Sequence, residues 1–234
     1  MLFLFILGLC IGSFLNVLIW RLNDEKAPKF WQGRSICPKC KHSLAWKDNI
    51  PLLSFILLNG RCRYCHKKIS LQYPLVELLT AEVTVLLATN FISLLTAYCF
   101  IVIFFSDWIY GLIPDEATLI LLIVGIFLNW NNWLIGLLAL LVLLSVFLVT
   151  RGRGIGFGDV KLIFPLGLLL GWPKILVMFY AASIMGGGYA LFLLVLHRKK
   201  FGDTIALGPF LIIGTVAALC IKDSLLSNLW WLFP

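Results

Sequence analysis

Two aspartates in an otherwise apolar chain are the residues best suited to catalysis. Asp107 follows the uncharged segment 95–106, and Asp159 opens an apolar segment behind the glycine-rich sequence GIGFGD. An ionised carboxylate at the centre of a bilayer costs on the order of 3 kcal/mol, so acids in or beside apolar segments are functional candidates. Two closely spaced carboxylates hold one proton between them, so one can activate water while the other protonates a carbonyl oxygen. This pair therefore predicts the acid–base hydrolysis that aspartyl proteases carry out.

The glycines before Asp159 support that interpretation but also allow a simpler one. Gly154, Gly156 and Gly158 have no Cβ atom, so they permit another backbone, from a helix or a peptide substrate, to approach closely. Glycines and an aspartate before a helix also form ordinary turns and N-caps. A second aspartate on the same side of the membrane favours catalysis, with Gly156 and Gly158 in supporting positions. Lys161 could stabilise the ionised carboxylate or anchor the helix at the membrane surface.

The composition predicts an all-α polytopic membrane protein that positions these acids. Of the 234 residues, 61% are hydrophobic and 13% are charged, and the mean hydropathy of +0.99 does not suit a water-soluble globular domain. The first apolar run has no positive charge before its core, which favours an uncleaved anchor over a signal peptide. We expect about eight transmembrane helices, with seven as the alternative, at residues 1–20, 74–92, 93–106, 117–130, 133–150, 160–171, 173–196 and 207–221.

Basic residues set the expected orientation of these helices. Eleven of the nineteen Lys and Arg residues lie in the range 21–68, and further groups lie at 151–161 and 198–200. Eight spans and an extracytoplasmic N-terminus put all three groups on the cytoplasmic side and both termini outside, in keeping with the positive-inside rule. The basic residues do not interleave with aromatic residues, so the net charge of +8 does not indicate nucleic-acid binding.

The same topology brings the two aspartates to one membrane surface. Segments 117–130 and 133–150 make one out-and-back passage between Asp107 and Asp159. We therefore expect both carboxylates on the cytoplasmic side of the bundle.

A polar insert at residues 21–73 carries the second constellation of chemically active residues. It separates the first transmembrane helix, residues 1–20, from the remaining bundle, residues 74–234. The sequences CPKC and CRYC can each place two thiolates on a turn, and together they complete a tetrahedral zinc site that has no open position for water. Two disulfides are the alternative, which a reducing cytoplasm disfavours. The predicted ligands of this structural zinc site are Cys37, Cys40, Cys62 and Cys65.

The segment between the two cysteine pairs is more apolar than a zinc knuckle requires. It reads LAWKDNIPLLSFILLNG and contains a run of large apolar side chains around residues 50–57. This surface is expected to dock on the membrane, on the helical bundle or on a hydrophobic substrate segment.

The chain resembles the type IV prepilin peptidases in long motifs that occur in the order found in that family. These are GSFLNVLIWRL at 12–22, the paired CPKC and CRYC, WKDNIPLLSF at 46–55, ISLQYPLVELLT at 69–80, DWIYGLIPD at 107–115, GFGDVKL at 156–162 and ALGPFL at 206–211. Together they extend over nearly the whole chain. In that family the catalytic aspartates open the D-x6-P motif and end the GxGD motif, which the resemblance assigns to Asp107 and Asp159.

The resemblance implies an integral aspartyl endopeptidase of the bacterial plasma (inner) membrane. Such an enzyme removes the short basic leader of type IV prepilins or of secretion and competence pseudopilins, after a glycine and on the cytoplasmic side. Many members also methylate the new N-terminus with S-adenosylmethionine, and the cysteine-bearing insert is associated with that bifunctional form. We therefore expect methylation here, with prepilins or pseudopilins and the lipid bilayer as partners, and no nucleic acid.

Four further acids have both a structural and a functional interpretation. Asp115 and Glu116 follow a proline at the start of a predicted span, where acids complement the helix dipole. Glu77 and Glu82 lie in another predicted span, where a polar contact inside the bundle would account for them. If the substrate has a basic leader, all four acids are also candidates for binding it.

Two alternatives to a bifunctional peptidase remain open at the level of sequence. A zinc-stapled transporter or assembly scaffold would use the intramembrane acids to bind cations or to hold helices together. A peptidase without methyltransferase activity would retain the aspartate pair and leave the new N-terminus unmodified.

Overall fold

The computed structural model describes residues 1–24, 33–152, 154–197 and 206–221, which form helices joined by turns, with isolated bridge pairs and no strand. The expected all-α fold is confirmed for these residues. Contacts divide the chain into two compact units, Met1–Ser106 and Asp107–Pro234, called here the N-terminal and C-terminal units. The helices are α1 (Leu2–Asn23), α2 (Leu53–Leu57), α3 (Gln72–Leu87), α4 (Phe91–Tyr110), α5 (Asp115–Asn129), α6 (Trp133–Thr150), α7 (Phe157–Leu170), α8 (Lys174–Val195) and α9 (Gly208–Cys220).

Each predicted apolar run coincides with one of the eight longer helices. Four segments of the described chain are long and apolar enough to cross a membrane: Leu2–Asn23, Phe91–Tyr110, Asp115–Thr150 and Lys174–Val195. The third of these segments contains both α5 and α6. Helices α3, α7 and α9 have only 16, 14 and 13 residues, against the roughly 20 that a span perpendicular to the membrane requires. Several apolar helices indicate a membrane protein, while helix length alone does not establish eight spans.

Close packing of α1 against α3 organises the N-terminal unit. A Cβ atom on Gly8 would lie 2.6 Å from the Cα of Ala81, and one on Gly12 would lie 2.7 Å from the Cα of Glu77. The two glycines form a GxxxG motif, which lets helix backbones approach closely in a membrane. One turn further along, the side-chain amide of Asn16 donates to a carbonyl oxygen at the start of α3, over 3.0 Å. The two helices are therefore antiparallel, because successive turns of α1 contact successively earlier turns of α3.

Helix α7 lies at the centre of the C-terminal unit and contacts α5, α6, α8 and α9. Nine of its 14 residues are buried. At its C-terminal end, Asn132 in the α5–α6 turn donates to the carbonyl of Leu168 over 3.1 Å, while one turn earlier in α7 the carbonyl oxygen of Phe164 would lie 2.9 Å from a Cβ on Gly136 of α6. In α5, a Cβ on Gly125 would lie 3.5 Å from the carbonyl oxygen of Pro165, and Asn129, one turn later, donates to that of Leu169 over 3.4 Å. Helix α5 thus runs parallel to α7 and α6 returns antiparallel to it, as the out-and-back passage between the two aspartates predicts.

Helices α8 and α9 form an antiparallel pair in the same unit. A Cβ on Gly214 would lie 2.6 Å from the carbonyl oxygen of Met178, and one on Gly186 would lie 3.3 Å from the ring of Phe210. This pairing brings the start of α9 to the end of the unit where α7 begins.

Part of the charge pattern used to predict topology lies outside the described residues. This applies to Lys26, Lys29, Arg153, the cluster 198–200 and Lys222.

Candidate active site and metal centre

Asp107 lies in the last turn of α4 and is held by the first residue of α9. Its carboxyl group is buried, and its Oδ2 accepts a hydrogen bond from the backbone N–H of Gly208 over 2.9 Å. The first N–H groups of a helix have no partner inside the helix and carry its positive dipole end, so they favour a carboxylate. The start of α9 therefore fixes the position of the Asp107 side chain and stabilises its charge.

Asp159 lies in the first turn of α7 and is held by its own helix start. Its Oδ2 accepts a hydrogen bond from the backbone N–H of Gly156 over 3.2 Å, and its own backbone N–H donates to the carbonyl oxygen of Gly156, also over 3.2 Å. Its Oδ1 is buried and has no hydrogen-bond partner among the described residues. A buried carboxylate oxygen without a partner is costly. This one is available to water or to a substrate peptide.

Asp107 lies close enough to Asp159 to act on its carboxylate electrostatically. Ile113, in the turn between α4 and α5, packs between the segments that hold them: a Cβ on Gly158 would lie 3.2 Å from its side chain, and so would one on Gly208. Asp107 is 5% exposed and Asp159 is 6% exposed. The C-terminal unit thus brings Asp107 and Asp159 into one buried site, with a backbone amide fixing one oxygen of each.

The glycines of GIGFGD contact residues of this chain. A Cβ on Gly154 would lie 3.2 Å from Thr150, one on Gly156 would lie 3.3 Å from the carboxylate of Asp159, and Gly158 faces Ile113. Gly156 and Gly158 therefore act in positioning the aspartate and closing the α4–α5 turn onto α7. Room for a substrate backbone at these glycines stays a prediction.

Lys161 forms an ion pair with Asp115 in the first turn of α5, and its ammonium group lies over the ring of Phe157. The Asp115 side chain is largely exposed, so the pair contributes little to stability. Asp115 and Glu116 occupy the first turn of α5 after Pro114, as predicted, although neither makes a side-chain cap. The cation that the sequence placed beside Asp159 is thus paired with a different acid.

Aromatic side chains flank Asp107 in the C-terminal unit. The rings of Trp108 and Tyr189 lie 5.4 Å apart, and those of Tyr189 and Phe210 lie 5.6 Å apart. Trp108 is 48% exposed. An accessible apolar surface therefore adjoins the aspartate pair.

Glu77 and Glu82 lie in α3 of the N-terminal unit and have different surroundings. Glu77 is buried and accepts a hydrogen bond from the backbone N–H of Leu52 over 2.8 Å and another from the hydroxyl of Ser13. Glu82 is exposed. The polar contact predicted for these acids is therefore observed at Glu77.

The four cysteines of the insert form one cluster. Their Sγ atoms all lie within 4.8 Å of one another, and their thiols are free. Zinc bound to four thiolates at about 2.3 Å places neighbouring sulfur atoms about 3.8 Å apart, so a small contraction would complete the site. Burial raises the pKa of the Cys37 thiol, but hydrogen bonds from the backbone of Cys40 and Lys39 outweigh it and lower that pKa to about 7. A metal ion therefore fits this donor set.

The two cysteine knuckles have the same backbone geometry. The backbone carbonyl oxygen of Cys37 accepts a hydrogen bond from the N–H of Lys41, and that of Cys62 accepts one from the N–H of His66, each over 2.9 Å. Lys41 and His66 both have positive φ angles, of 61° and 54°. Each pair thus closes the tight turn that points two sulfur atoms to one side.

Asp48 links the segment between the knuckles to the second one. Its carboxylate accepts hydrogen bonds from the Nε of Arg63 over 2.7 Å and from the hydroxyl of Tyr64 and the N–H of Ala45, each over 3.1 Å. Burial raises the pKa of Asp48, and these hydrogen bonds, led by that of Arg63, lower it overall. The insert therefore has a polar cross-link besides its cysteines.

Replacing one cysteine of each knuckle, Cys37→Ser with Cys62→Ser, is expected to release bound metal and to unfold the insert. The small polar insert has little apolar core of its own, so the metal supplies much of its folding free energy. Metal analysis of the protein purified under reducing conditions, together with protease resistance of residues 33–71, measures this. Cys220→Ser, at an exposed cysteine outside the cluster, is the matched control. Wild-type protein without metal would contradict the prediction.

The sequence did not reveal the roles of Gly208 and Leu52. Both act through backbone N–H groups, to Asp107 and to Glu77 respectively. Their segments, ALGPFL and NIPLLSF, appear among the motifs of the resemblance, but no side chain in them signals a hydrogen-bond donor.

Comparison with known proteins gives two family matches. The family described as Bacterial Peptidase A24 N-terminal domain matches residues 6–91, and the Type IV leader peptidase family matches residues 94–191. No solved structure matches the chain significantly.

Several curated relatives match nearly the full length of the chain. Each is named prepilin leader peptidase/N-methyltransferase. The protein of Aeromonas salmonicida (strain A449) is 34% identical over 270 aligned positions, which cover 97% of this chain and 92% of the relative. The protein of Aeromonas hydrophila is 35% identical, with 97% and 92% covered, and that of Neisseria gonorrhoeae is 32% identical, with 97% and 93% covered.

Proposed function

Because this chain belongs to the type IV leader peptidase family, we propose that it is a bifunctional membrane enzyme that removes the leader from type IV prepilins or pseudopilins and methylates the new N-terminus. One observation carries the peptidase activity: the C-terminal unit holds Asp107 and Asp159 in one buried site, each fixed by a backbone amide. We assign these two residues as the catalytic aspartates.

In the proposed reaction the two carboxylates share one proton. The ionised carboxylate takes a proton from water, and the oxygen of that water attacks the carbonyl carbon of the leader glycine itself, while the protonated carboxyl group donates to the carbonyl oxygen. The tetrahedral intermediate then breaks at its C–N bond: the carboxyl group that took the proton from water gives it to the nitrogen, and the other carboxylate takes a proton from a hydroxyl group of the intermediate. The products are the leader carboxylate and the free amine of the mature pilin. The backbone amides of Gly208 and Gly156 keep both carboxylates in place throughout.

The acids near the start of α5 are proposed to bind the basic leader. Asp115 and Glu116 are exposed, and Asp115 pairs with Lys161, two residues beyond Asp159. A basic leader segment could replace Lys161 as the partner of Asp115. Leader binding by Glu77 and Glu82 stays a prediction. The carboxylate of Glu77 already accepts a hydrogen bond from the backbone N–H of Leu52.

Methylation is supported by the names of the relatives and by the intact cysteine cluster of the insert. S-adenosylmethionine would supply the methyl group. Among the described residues no set of side chains identifies its binding site. We propose zinc as the metal held by Cys37, Cys40, Cys62 and Cys65, because four thiolates in tetrahedral reach are the donor set typical of structural zinc. Its role is to hold the insert together.

We propose eight spans, an extracytoplasmic N-terminus and C-terminus, and an insert and active site on the cytoplasmic side of the plasma membrane. The parallel and antiparallel packing of α5 and α6 on α7 supports one complete passage between the two aspartates. The chain then divides into the first span at 1–20, the zinc-binding insert at 21–73 and the peptidase bundle at 74–234. Helix α7 is shorter than a perpendicular span requires, but other helices enclose most of it, so little of it needs to contact lipid.

Mass spectrometry of a prepilin processed by the reconstituted protein tests both activities. We expect cleavage after the leader glycine without any cofactor, and a product heavier by one methyl group when S-adenosylmethionine is added. An unmethylated product under both conditions would contradict the methyltransferase assignment. A prepilin that stays uncut would contradict the peptidase assignment and favour the transporter or scaffold alternative.

A further inference from the structure

The short helix α2 of the insert exposes three large apolar side chains. Leu53, Ile56 and Leu57 are 49%, 67% and 71% exposed in the N-terminal unit. Residues spaced i, i+3 and i+4 lie on one side of a helix, so the three form a single surface, called here the α2 apolar face. The metal site does not need this face, because the cysteine cluster lies in the two flanking knuckles.

A buried hydrogen bond ties the start of α2 to a membrane helix. The backbone N–H of Leu52 donates to Oε2 of Glu77 over 2.8 Å. Leu52 has a φ of 57° and a ψ of −47°, a conformation that residues other than glycine rarely adopt. The N–H of Leu53 bonds the carbonyl of Pro51 over 2.5 Å, which makes this a tight γ-turn. The chain thus turns sharply to reach the Glu77 carboxylate.

The hydrogen bond between Leu52 and Glu77 lies beside the middle of α1, away from the end of α1 that joins the insert. Glu77 packs on Gly12 of this 22-residue helix, which is eight residues, or about 12 Å, from residue 20, where the first span is proposed to end. A helix of this length spans about 33 Å, close to the roughly 30 Å of a bilayer core. Glu77 therefore lies near the middle of α1, and its side chain points back toward the insert. Leu52 and the start of α2 are held at the depth of the lipid leaflet on the insert side.

The charge of the insert complements a lipid surface. Residues 33–71 of the insert contain eight basic residues and a single acid, Asp48, whose carboxylate is bonded to Arg63. Basic residues beside an apolar helix face are typical of elements that lie in the interface of membranes with anionic lipids. Trp46, which is 81% exposed, and Lys47 precede this turn and suit the same boundary.

We propose that α2 is an interfacial helix, which inserts Leu53, Ile56 and Leu57 between lipids of the leaflet on the insert side and is held at that depth by the Leu52–Glu77 hydrogen bond. The partner of this surface is a bilayer that contains anionic lipids. Docking of the same face on the C-terminal unit, or on a protein substrate, is the competing outcome of the test. The proposal does not depend on the peptidase or methyltransferase activity.

Photo-cross-linking of the full-length protein in nanodiscs tests the inserted face. The photoreactive amino acid p-benzoylphenylalanine replaces Leu57, and mass spectrometry identifies what it attaches to. We expect lipid adducts at position 57, as at the exposed apolar Phe127 of α5, and none at the exposed polar Lys67 of the insert. We also expect a higher adduct yield in nanodiscs with anionic lipid than in zwitterionic ones. Attachment to another part of the chain, or no lipid adduct, would overturn the proposal.

Substitution of Glu77 tests what holds the helix at this depth. Glu77→Gln keeps an oxygen acceptor for the N–H of Leu52 and should keep the lipid adducts at position 57, whereas Glu77→Ala should lose them. Glu82→Ala, an exposed acid five residues further along α3, is the matched control and should keep them. Retained metal in each variant shows that the insert is still folded. Unchanged adducts in Glu77→Ala would overturn the anchoring role of Glu77.

Discussion

Replacing either aspartate proposed to be catalytic, by Asp107→Asn or Asp159→Asn, is expected to abolish prepilin cleavage. Asparagine keeps an oxygen that can accept the N–H of Gly208 or Gly156, so the backbone around the site should be preserved. It cannot take a proton from water or share one with the other carboxylate. Loss of acid–base catalysis lowers a rate by about 10²–10⁴-fold, and more where water must be activated at the same site. Cleavage of a reconstituted prepilin, followed over time, measures the effect.

The double variant, Asp107→Asn with Asp159→Asn, separates catalysis from structure. Residues that act as a unit in one step are not additive, so the double variant should lose no more activity than either single variant. Thermal unfolding and membrane insertion should stay close to those of the wild type. If either single variant cleaves at the rate of the wild type, the assignment of the pair fails.

A methyl group added at the start of α9, by Gly208→Ala, is expected to lower cleavage by about 10²-fold, the loss typical of misplacing a catalytic group by about 1 Å. A Cβ at this position would lie 2.6 Å from Oδ2 of Asp107, well inside van der Waals contact. Because Asp107 is buried, its carboxylate must rotate away from the Gly208 N–H or α9 must shift. The readout is kcat for prepilin cleavage, with KM expected to change little, because the substitution acts on the carboxylate.

Gly187→Ala is the matched control for this substitution. Gly187 lies within α8, and a Cβ there would meet no atom within 4 Å. Alanine is favoured over glycine inside a helix by about 1 kcal/mol, so this variant should be at least as stable as the wild type and should cleave normally. Equal cleavage by the Gly208→Ala and Gly187→Ala variants would show that the start of α9 does not position Asp107.

The sequence predicted the helices well because each is a continuous apolar run. All eight runs coincide with helices, and the return of the chain between Asp107 and Asp159 is confirmed by the packing of α5 and α6 on α7. The number of spans could not be obtained in the same way. Helix α7 has 14 residues and is buried by neighbouring helices. This burial arises only when the unit has assembled, so hydropathy cannot predict it.

The cysteine cluster was also predictable, because the spacing within each knuckle fixes the local turn. The pairing of two knuckles that lie 25 residues apart depends on the segment between them, including the bond from Asp48 to Arg63. The clustering of the four sulfur atoms confirms that these cysteines can hold a metal ion together. The identity of that metal as zinc stays a prediction.

The partners of the charged residues were the least predictable feature. Lys161 is two residues from Asp159 in sequence, yet it pairs with Asp115, which is 46 residues away. Glu77 was expected either in a leader-binding role or in a polar contact, and the backbone N–H that it accepts belongs to the insert, 25 residues earlier. Such choices depend on side-chain directions after helices have packed.

The sequence by itself determined which segments are helical and which four cysteines form one cluster, and it predicted Asp107 and Asp159 as the catalytic pair. These follow from local properties: apolar run length, charge and the spacing of cysteines. Only the tertiary structure decided that the N–H of Gly208 fixes Asp107, that Ile113 fills the space at Gly158, and that Glu77 holds the insert. The physical reason is that a backbone amide has the same chemistry at every position, so its role depends on which distant group the fold brings within hydrogen-bonding distance.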